Sequence, residues 1–182
     1  RTLREAAAED PEYVSLQQVN PLELAEVQQF IPEQTTLLEY FSTQEEVIAF
    51  VITRNDAKVF RRLAPPGRIR TIQERLAFQL EKFLIGREYV KAHSRRILED
   101  TDRHLQTLYA TLIEPLAGEL RTRRVTIVPH GLLHFLPFHA FFDGQHYISD
   151  NFEVAYAPSA SVLRYCMENS DVVGGTPLIV GV

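Results

Sequence analysis

RVTIVPHGLLHFLPFHAFFD, residues 124–143, joins a short β-branched run to a string rich in aromatic residues, histidine and proline. Val125, Ile127 and Val128, with Thr126, are apolar in consecutive rather than alternate positions. That is the pattern of a strand covered on both faces, as in a parallel sheet flanked by helices. Pro129 ends the strand because it has no N–H for a ladder, and Gly131 lets the chain turn. Ligands of open α/β sheets collect at the carboxyl ends of the strands. His130–Phe138 is therefore the expected functional rim.

Upstream, Thr35–Phe41, Val47–Thr53 and Ala57–Leu63 read as three strands forming an antiparallel meander. The middle one, VIAFVIT, is apolar on both faces and is expected at the centre. Arg54-Asn55-Asp56 suits a tight hairpin, and Pro65-Pro66-Gly67 closes the unit. Before it, Leu3–Glu9 reads as the tail of a helix broken at Asp10-Pro11. A short helix then carries Leu22, Leu24, Val27 and Phe30, with Asn20 as its cap and Pro21 in its first turn; Pro32 closes it.

Between the meander and the central strand, Thr71–Leu84 reads as a helix. Thr71 and Glu74 have capping-box spacing, and Ile72, Leu76, Leu80 and Phe83 form one apolar face. Gly86 is its stop. A second helix from about Arg95 carries Leu98, Leu105, Leu108 and Leu112. Ile113 and Leu116 extend that stripe, and Pro115 must kink or restart it. Downstream, Asp143-Gly144 is a turn into a hairpin of Tyr147-Ile148 with Phe152–Tyr156. Pro158-Ser159 opens a helix bearing Val162, Leu163 and Cys166, and Gly174-Gly175 leads into a last strand, PLIVGV.

The string from Val125 to Arg164 resembles the CHAT domain family, caspase-like proteins often found after tetratricopeptide repeats. The elements that carry the resemblance are Pro129, Gly131, Leu133-His134, Leu136-Pro137-Phe138, Asp143-Gly144 and Ala157-Pro158-Ser159-Ala160-Ser161. Leu37–Phe41 and Leu108–Leu116 also look like family landmarks, which extends the resemblance from about Pro32 to Val182. His130 stands where the family more often has an acidic residue. The resemblance implies an α/β fold: an antiparallel meander with helices, followed by the first half of a caspase-like, mostly parallel sheet flanked by helices. It divides the chain into a helical lead-in, residues 1–31, and the amino-terminal part of a CHAT domain, residues 32–182. The lead-in would follow an upstream region, such as a repeat array.

The same resemblance implies a cysteine endopeptidase regulated by that upstream region, whose catalytic His and Cys follow later sheet strands, beyond Val182. The rival reading is a pseudo-peptidase acting as an interaction or regulatory module. A nucleotide-binding α/β domain would need a Gly-rich strand-to-helix turn; Gly174-Gly175 instead precedes a strand. No residue of this chain is assigned a catalytic, cofactor-binding or metal-ligating role, and the segment alone is expected to be inactive. Its implied partners are a protein or peptide substrate and an upstream regulatory region.

The tempting side chains have plainer readings. His130 and His134 are four apart with His139 following, but the zinc-protease pattern needs Glu after the first His, where Gly131 stands. His134 reads instead as a structural hydrogen bonder beneath the rim. Cys166 has no neighbouring His to lower its pKa and reads as a small buried hydrophobe. Ser159 and Ser161 lack a Gly-x-Ser-x-Gly elbow, and Ser159 suits an N-cap. Arg121, Arg123 and Arg124 read as a solvated helix end.

Composition narrows the function classes. With 45% hydrophobic and 24% charged residues over 182 positions, the chain can bury a core of its own. A net charge of -5 argues against a general nucleic-acid binder. No apolar run nears the roughly 20 residues that cross a bilayer, so neither nucleic acid nor membrane is an expected partner, and no cofactor is implied. One cysteine excludes an internal disulfide and fits a reducing cytoplasm.

Overall fold

The computed structural model describes residues 22–168. The expected Leu3–Glu9 helix tail, the Asn20 cap with Pro21, the Gly174-Gly175 turn and the PLIVGV strand lie outside these residues. Within them the fold is mixed α/β. Five strands form one sheet: β1 Thr35–Ser42, β2 Val47–Ile52, β3 Ala57–Phe60, β4 Arg124–Val128 and β5 Glu153–Tyr156, in the order β3-β2-β1-β4-β5. The first three make the antiparallel meander, turning through Thr53 and Asp56, which bond across the loop. β4 then adds parallel to β1, with Leu38 opposite Ile127, and β5 adds parallel to β4.

The centre of the sheet is β1, not β2. Its burial is nearly continuous from Thr35 to Tyr40, whereas β2 alternates buried and half-buried until its end. β2 is apolar on both faces, but one face lacks full cover around Ile48 and Phe50. Apolarity on both sides therefore does not by itself rank the strands.

One face is sealed by a helical hairpin. The helix α2, Pro66–Glu81, supplies Ile69, Ile72 and Leu76; the helix α3, Arg87–Leu112, supplies Leu105, Leu108 and Leu112. These pack on Leu38, Tyr40, Val47, Ala49, Val51, Val125 and Ile127. The other face has a smaller cover. The short helix α1, Leu24–Phe30, brings Val27, followed by Ile31, onto Leu37, Ile52 and Val128. The last described helix, α5 Ala160–Glu168, lies beside α1 and adds Ala160 and Leu163. Glu23 precedes α1, and its N–H donates to the Glu26 carboxylate at 2.9 Å.

Several expected boundaries move. α2 begins at Pro66 rather than Thr71, because a proline after an extended Pro65 suits the first helical position. Thr71 is an interior residue whose hydroxyl donates to the Gly67 carbonyl at 3.0 Å. α3 begins at Arg87, directly after Gly86 at φ 139°, and its buried stripe includes Ile97, while Leu98 is exposed. Leu80 and Phe83 are also largely exposed, since the end of α2 runs beyond the sheet. At Pro115 the α-helix has already given way to a 3-10 segment, Glu114–Glu119.

The expected hairpin after Asp143-Gly144 does not form. The turn itself is present: the Asp143 carboxylate accepts the N–H groups of Gln145 and His146, and Phe142 bridges Tyr147. The Asp150 carboxylate then accepts the Tyr147 N–H at 2.8 Å and caps a helical turn, α4 Ile148–Asn151. β5 spends its ladder bonds on β4 instead. Ser159 is an N-cap as expected: its hydroxyl accepts the Val162 N–H at 3.2 Å.

Candidate functional site

After Val128 the chain leaves the sheet as a 3-10 segment, Gly131–Phe135, then a second one, Phe138–Ala140. Gly131 has φ 58°, a left-handed conformation that costs a side-chain-bearing residue more than glycine. The apolar members of the string are pins. Leu133, Leu136, Phe138 and Phe141 are buried in the core beneath α2 and α3. The Phe138 ring lies 5.2 Å from Tyr40 and 4.8 Å from Phe141, close enough for offset aromatic packing. Tyr40 in turn donates its hydroxyl to the Leu112 carbonyl at 2.8 Å, and burial raises its phenol pKa. One motif thus ties β1, the end of α3 and the rim together.

What the pins leave outside is a set of polar and aromatic groups at the carboxyl ends of β1, β4 and β5. His130 stacks on Phe41, ring centroids 4.6 Å apart, and its Nδ1 accepts the Ser42 N–H at 3.2 Å. With Nδ1 an acceptor, the neutral ring carries its proton on Nε2. His139 is fixed differently. Its backbone N–H donates to the Tyr156 hydroxyl at 3.0 Å, and that hydroxyl lies 2.9 Å from His139 Nδ1. Since the oxygen already accepts the N–H, its own proton is free to go to Nδ1. Burial raises the Tyr156 phenol, partly opposed by the N–H groups of His139 and Phe138. Between these two histidines Phe135 stands 76% exposed, beside an exposed His134.

Two expectations fail here. His134 is exposed and makes no side-chain hydrogen bond among the described residues, because the 3-10 turn points its neighbours Leu133 and Leu136 inward instead. Cys166 is exposed, not buried, where the cover of α5 ends and residues 166–168 all face solvent. No histidine hydrogen-bonds it among the described residues. Among the described residues no three His, Cys, Asp or Glu side chains are grouped to hold an ion. Arg123 and Arg124 both pair with Glu153 on β5, at 2.9 and 2.8 Å, and Arg121 donates to the Gly118 carbonyl. That cluster is an edge clasp more than a free helix end. A recess of about 180 Å³ lined by Asp56, Lys58, Glu119 and Arg121 lies at the opposite end of the sheet. It is remote from the rim.

The sequence reading missed Phe41, Glu39 and Tyr156. Glu39 sits two residues before Phe41 on the same face of β1, opposite Phe50 and Val128. Burial raises its carboxyl, and it has no ion pair among the described residues. Alternation along LLEYF could have flagged it as a charge on a buried strand. Nothing in the sequence pairs His139 with Tyr156, since that contact depends on β5 running parallel to β4.

The family model of the CHAT domain matches residues 102–182. This shows the resemblance for that segment, which begins in α3 and takes in β4, the whole rim, β5 and α5. Leu108–Leu116 falls inside the match, and Leu37–Phe41 falls outside it. No curated protein matches the chain. Among the described residues no helix is long and apolar enough to cross a membrane.

Proposed function

We propose that the chain is the amino-terminal part of a CHAT-domain, caspase-like cysteine peptidase, and that its rim forms the floor of the peptide site. The observation that supports this reading is a coincidence of two facts. The string matched by the family model is the same string that stands at the carboxyl ends of the parallel strands, where open α/β sheets bind ligands. Phe135 offers an exposed apolar contact for a substrate side chain, and the Nε2 groups of His130 and His139 offer hydrogen bonds to its backbone. In a peptidase of this kind a histidine raises the thiolate fraction of a cysteine. The thiolate attacks the peptide carbonyl, and backbone N–H groups hold the oxyanion. Those roles belong to residues after the matched rim, and an upstream region supplies regulation.

Peptide-library profiling of the intact protein by mass spectrometry tests this. Cleavage should be abolished by iodoacetamide and slowed severalfold by Phe135→Asp. Cleavage insensitive to the thiol reagent overturns the peptidase reading. Peptide binding without cleavage, lost in Phe135→Asp, would instead establish the non-catalytic interaction module.

A further inference from the structure

Between Leu76, the last α2 residue in the main core, and Leu105, the first α3 residue in it, the helical hairpin leaves the sheet. The part of α3 from Arg87 to His104 is about 27 Å long at 1.5 Å per residue. Its partner strand of the hairpin is the end of α2 with the 3-10 turn Lys82–Leu84. Ile97 and Thr101 are buried against α2 along this arm, but its tip is not covered. Phe78, Leu80, Phe83, Leu84 and Ile85 are 60%, 46%, 44%, 85% and 61% exposed. Within the α-helix Phe78 and Leu80 are about 200° apart at roughly 100° per residue, and Phe83, Leu84 and Ile85 follow in and after the 3-10 turn, so the exposed apolar side chains do not form a single stripe. A partner that docks against one helix face needs only one apolar stripe. Apolar side chains spread over more than one side suit a medium that surrounds the tip.

Charge points the same way. Residues 78–96 hold Lys82, Arg87, Lys91, Arg95 and Arg96 against Glu81 and Glu88, a net of 5 − 2 = +3, on a chain whose net charge is -5. Arg95 is engaged by Glu99, and the Lys82 ammonium sits 4.9 Å over the Phe78 ring. Arg87 and Lys91 are exposed just behind the apolar residues. The tip's backbone is satisfied: Ile85 N–H donates to the Lys82 carbonyl and Val90 N–H to the Gly86 carbonyl. It can therefore enter an apolar medium without an orphaned donor at those positions.

We infer that the tip of the α2–α3 arm, Phe78–Lys91, inserts into the surface of an anionic lipid bilayer. The apolar residues enter the acyl boundary, and the basic residues remain at headgroup level, where each is worth about 1 kcal/mol, or roughly fivefold in binding. This is a surface contact and not a span, so it escapes the run-length criterion that made a membrane partner unexpected. It is independent of the rim and of any peptidase activity.

Co-sedimentation of the chain with vesicles of phosphatidylcholine, with and without phosphatidylserine, tests the inference. The chain should sediment with the anionic vesicles, little with the neutral ones, and less as salt rises. Leu84→Asp with Ile85→Asp should abolish sedimentation at an unchanged thermal midpoint, since neither side chain is in the core. Arg87→Glu with Lys91→Glu should weaken it tenfold or more. Absence of sedimentation with anionic vesicles overturns the inference. So does sedimentation that survives the double aspartate variant, which would be adsorption by charge alone. Vesicle-independent self-association or protein binding that the aspartates abolish would assign the tip to a protein interface instead.

Discussion

The two faces of the sheet use the same three interior strands and are closed to different degrees. On the α2–α3 face, Leu38, Tyr40, Ala49 and Ile127 meet a layer of helix residues that excludes water, with Phe138 and Phe141 filling the end near the rim. On the α1–α5 face, cover reaches Leu37, Ile52 and Val128 and then thins out. Phe41 is 47% exposed, Val59 57%, and Glu39 sits half-buried between Phe50 and Val128 without an ion pair among the described residues. The first face holds the fold together; the second leaves room at the rim. A side chain's identity on a strand therefore says less about its energetic weight than which layer covers it.

The largest effect expected from this contrast is at Phe138. Its ring is fully buried against Tyr40 and Phe141, so Phe138→Ala should cost about 3–5 kcal/mol through lost transfer energy and a cavity that cannot collapse. Ile31→Ala, at an equally buried residue of the thinner layer, should cost about 2 kcal/mol, the low end for such a truncation, because its partly exposed neighbours can relax into the space. Urea denaturation of both variants measures the difference. Equal costs would mean that the two layers are equally well packed, and the contrast would be gone.

Glu39 sharpens the comparison through pH. Burial holds its carboxyl above the ordinary carboxylate range, so the folded state keeps the proton more tightly than the unfolded chain does. Stability from this group is present at acid pH and is lost as pH rises from the unfolded value through the folded one. Glu39→Gln should accordingly be more stable than the natural protein at neutral pH. That advantage should shrink as pH falls below the carboxylate range. Denaturation midpoints across pH 3–8 decide it. A Glu39→Gln variant that is less stable at neutral pH would show that the carboxylate has a partner and that the second face is better closed than its exposure indicates.

The strands were legible because their signals are local. The β-branched run Val125–Val128, the turn residues Arg54–Asp56 and the Pro129-Gly131 exit each act within a few residues, and each is found where the pattern predicts it. The register of the parallel strands was not legible, because Leu38 meets Ile127 across nearly the whole intervening chain. Everything that depends on it was hidden: β1 at the centre, β5 beside β4 in place of a hairpin, and the His139–Tyr156 contact. The place of the string at the carboxyl end of β4 was legible from its strand and proline, but which of its side chains face outward was not. Burial sorted the string into Leu133, Leu136 and Phe138 inside and His130, Phe135 and His139 outside, and no periodicity marks a 3-10 segment. Cys166 was misread for a related reason: a free cysteine is often buried, yet only packing against α1 decides how far along α5 the cover extends.

Thr71 carries the smallest expected effect and tests where the cover of the first face begins. The spacing of Thr71 and Glu74 matches a capping box, which would make Thr71→Ala cost about 1 kcal/mol. In the structure Pro65 and Pro66 open the helix, five residues earlier, and bring Ile69 fully into the core as part of the same layer as Ile72 and Leu76. Thr71 is exposed, and its hydroxyl only duplicates a carbonyl bond already made within the helix. Such back-bonding adds little and slightly opposes regular helix geometry. Alanine is the better helix former by up to about 0.7 kcal/mol. Thr71→Ala should therefore leave the urea midpoint unchanged or raise it slightly. A loss near 1 kcal/mol would mean that the helix starts at Thr71. Ile69 would then lie in an irregular lead-in, and the better-closed face would be shorter by more than one helical turn.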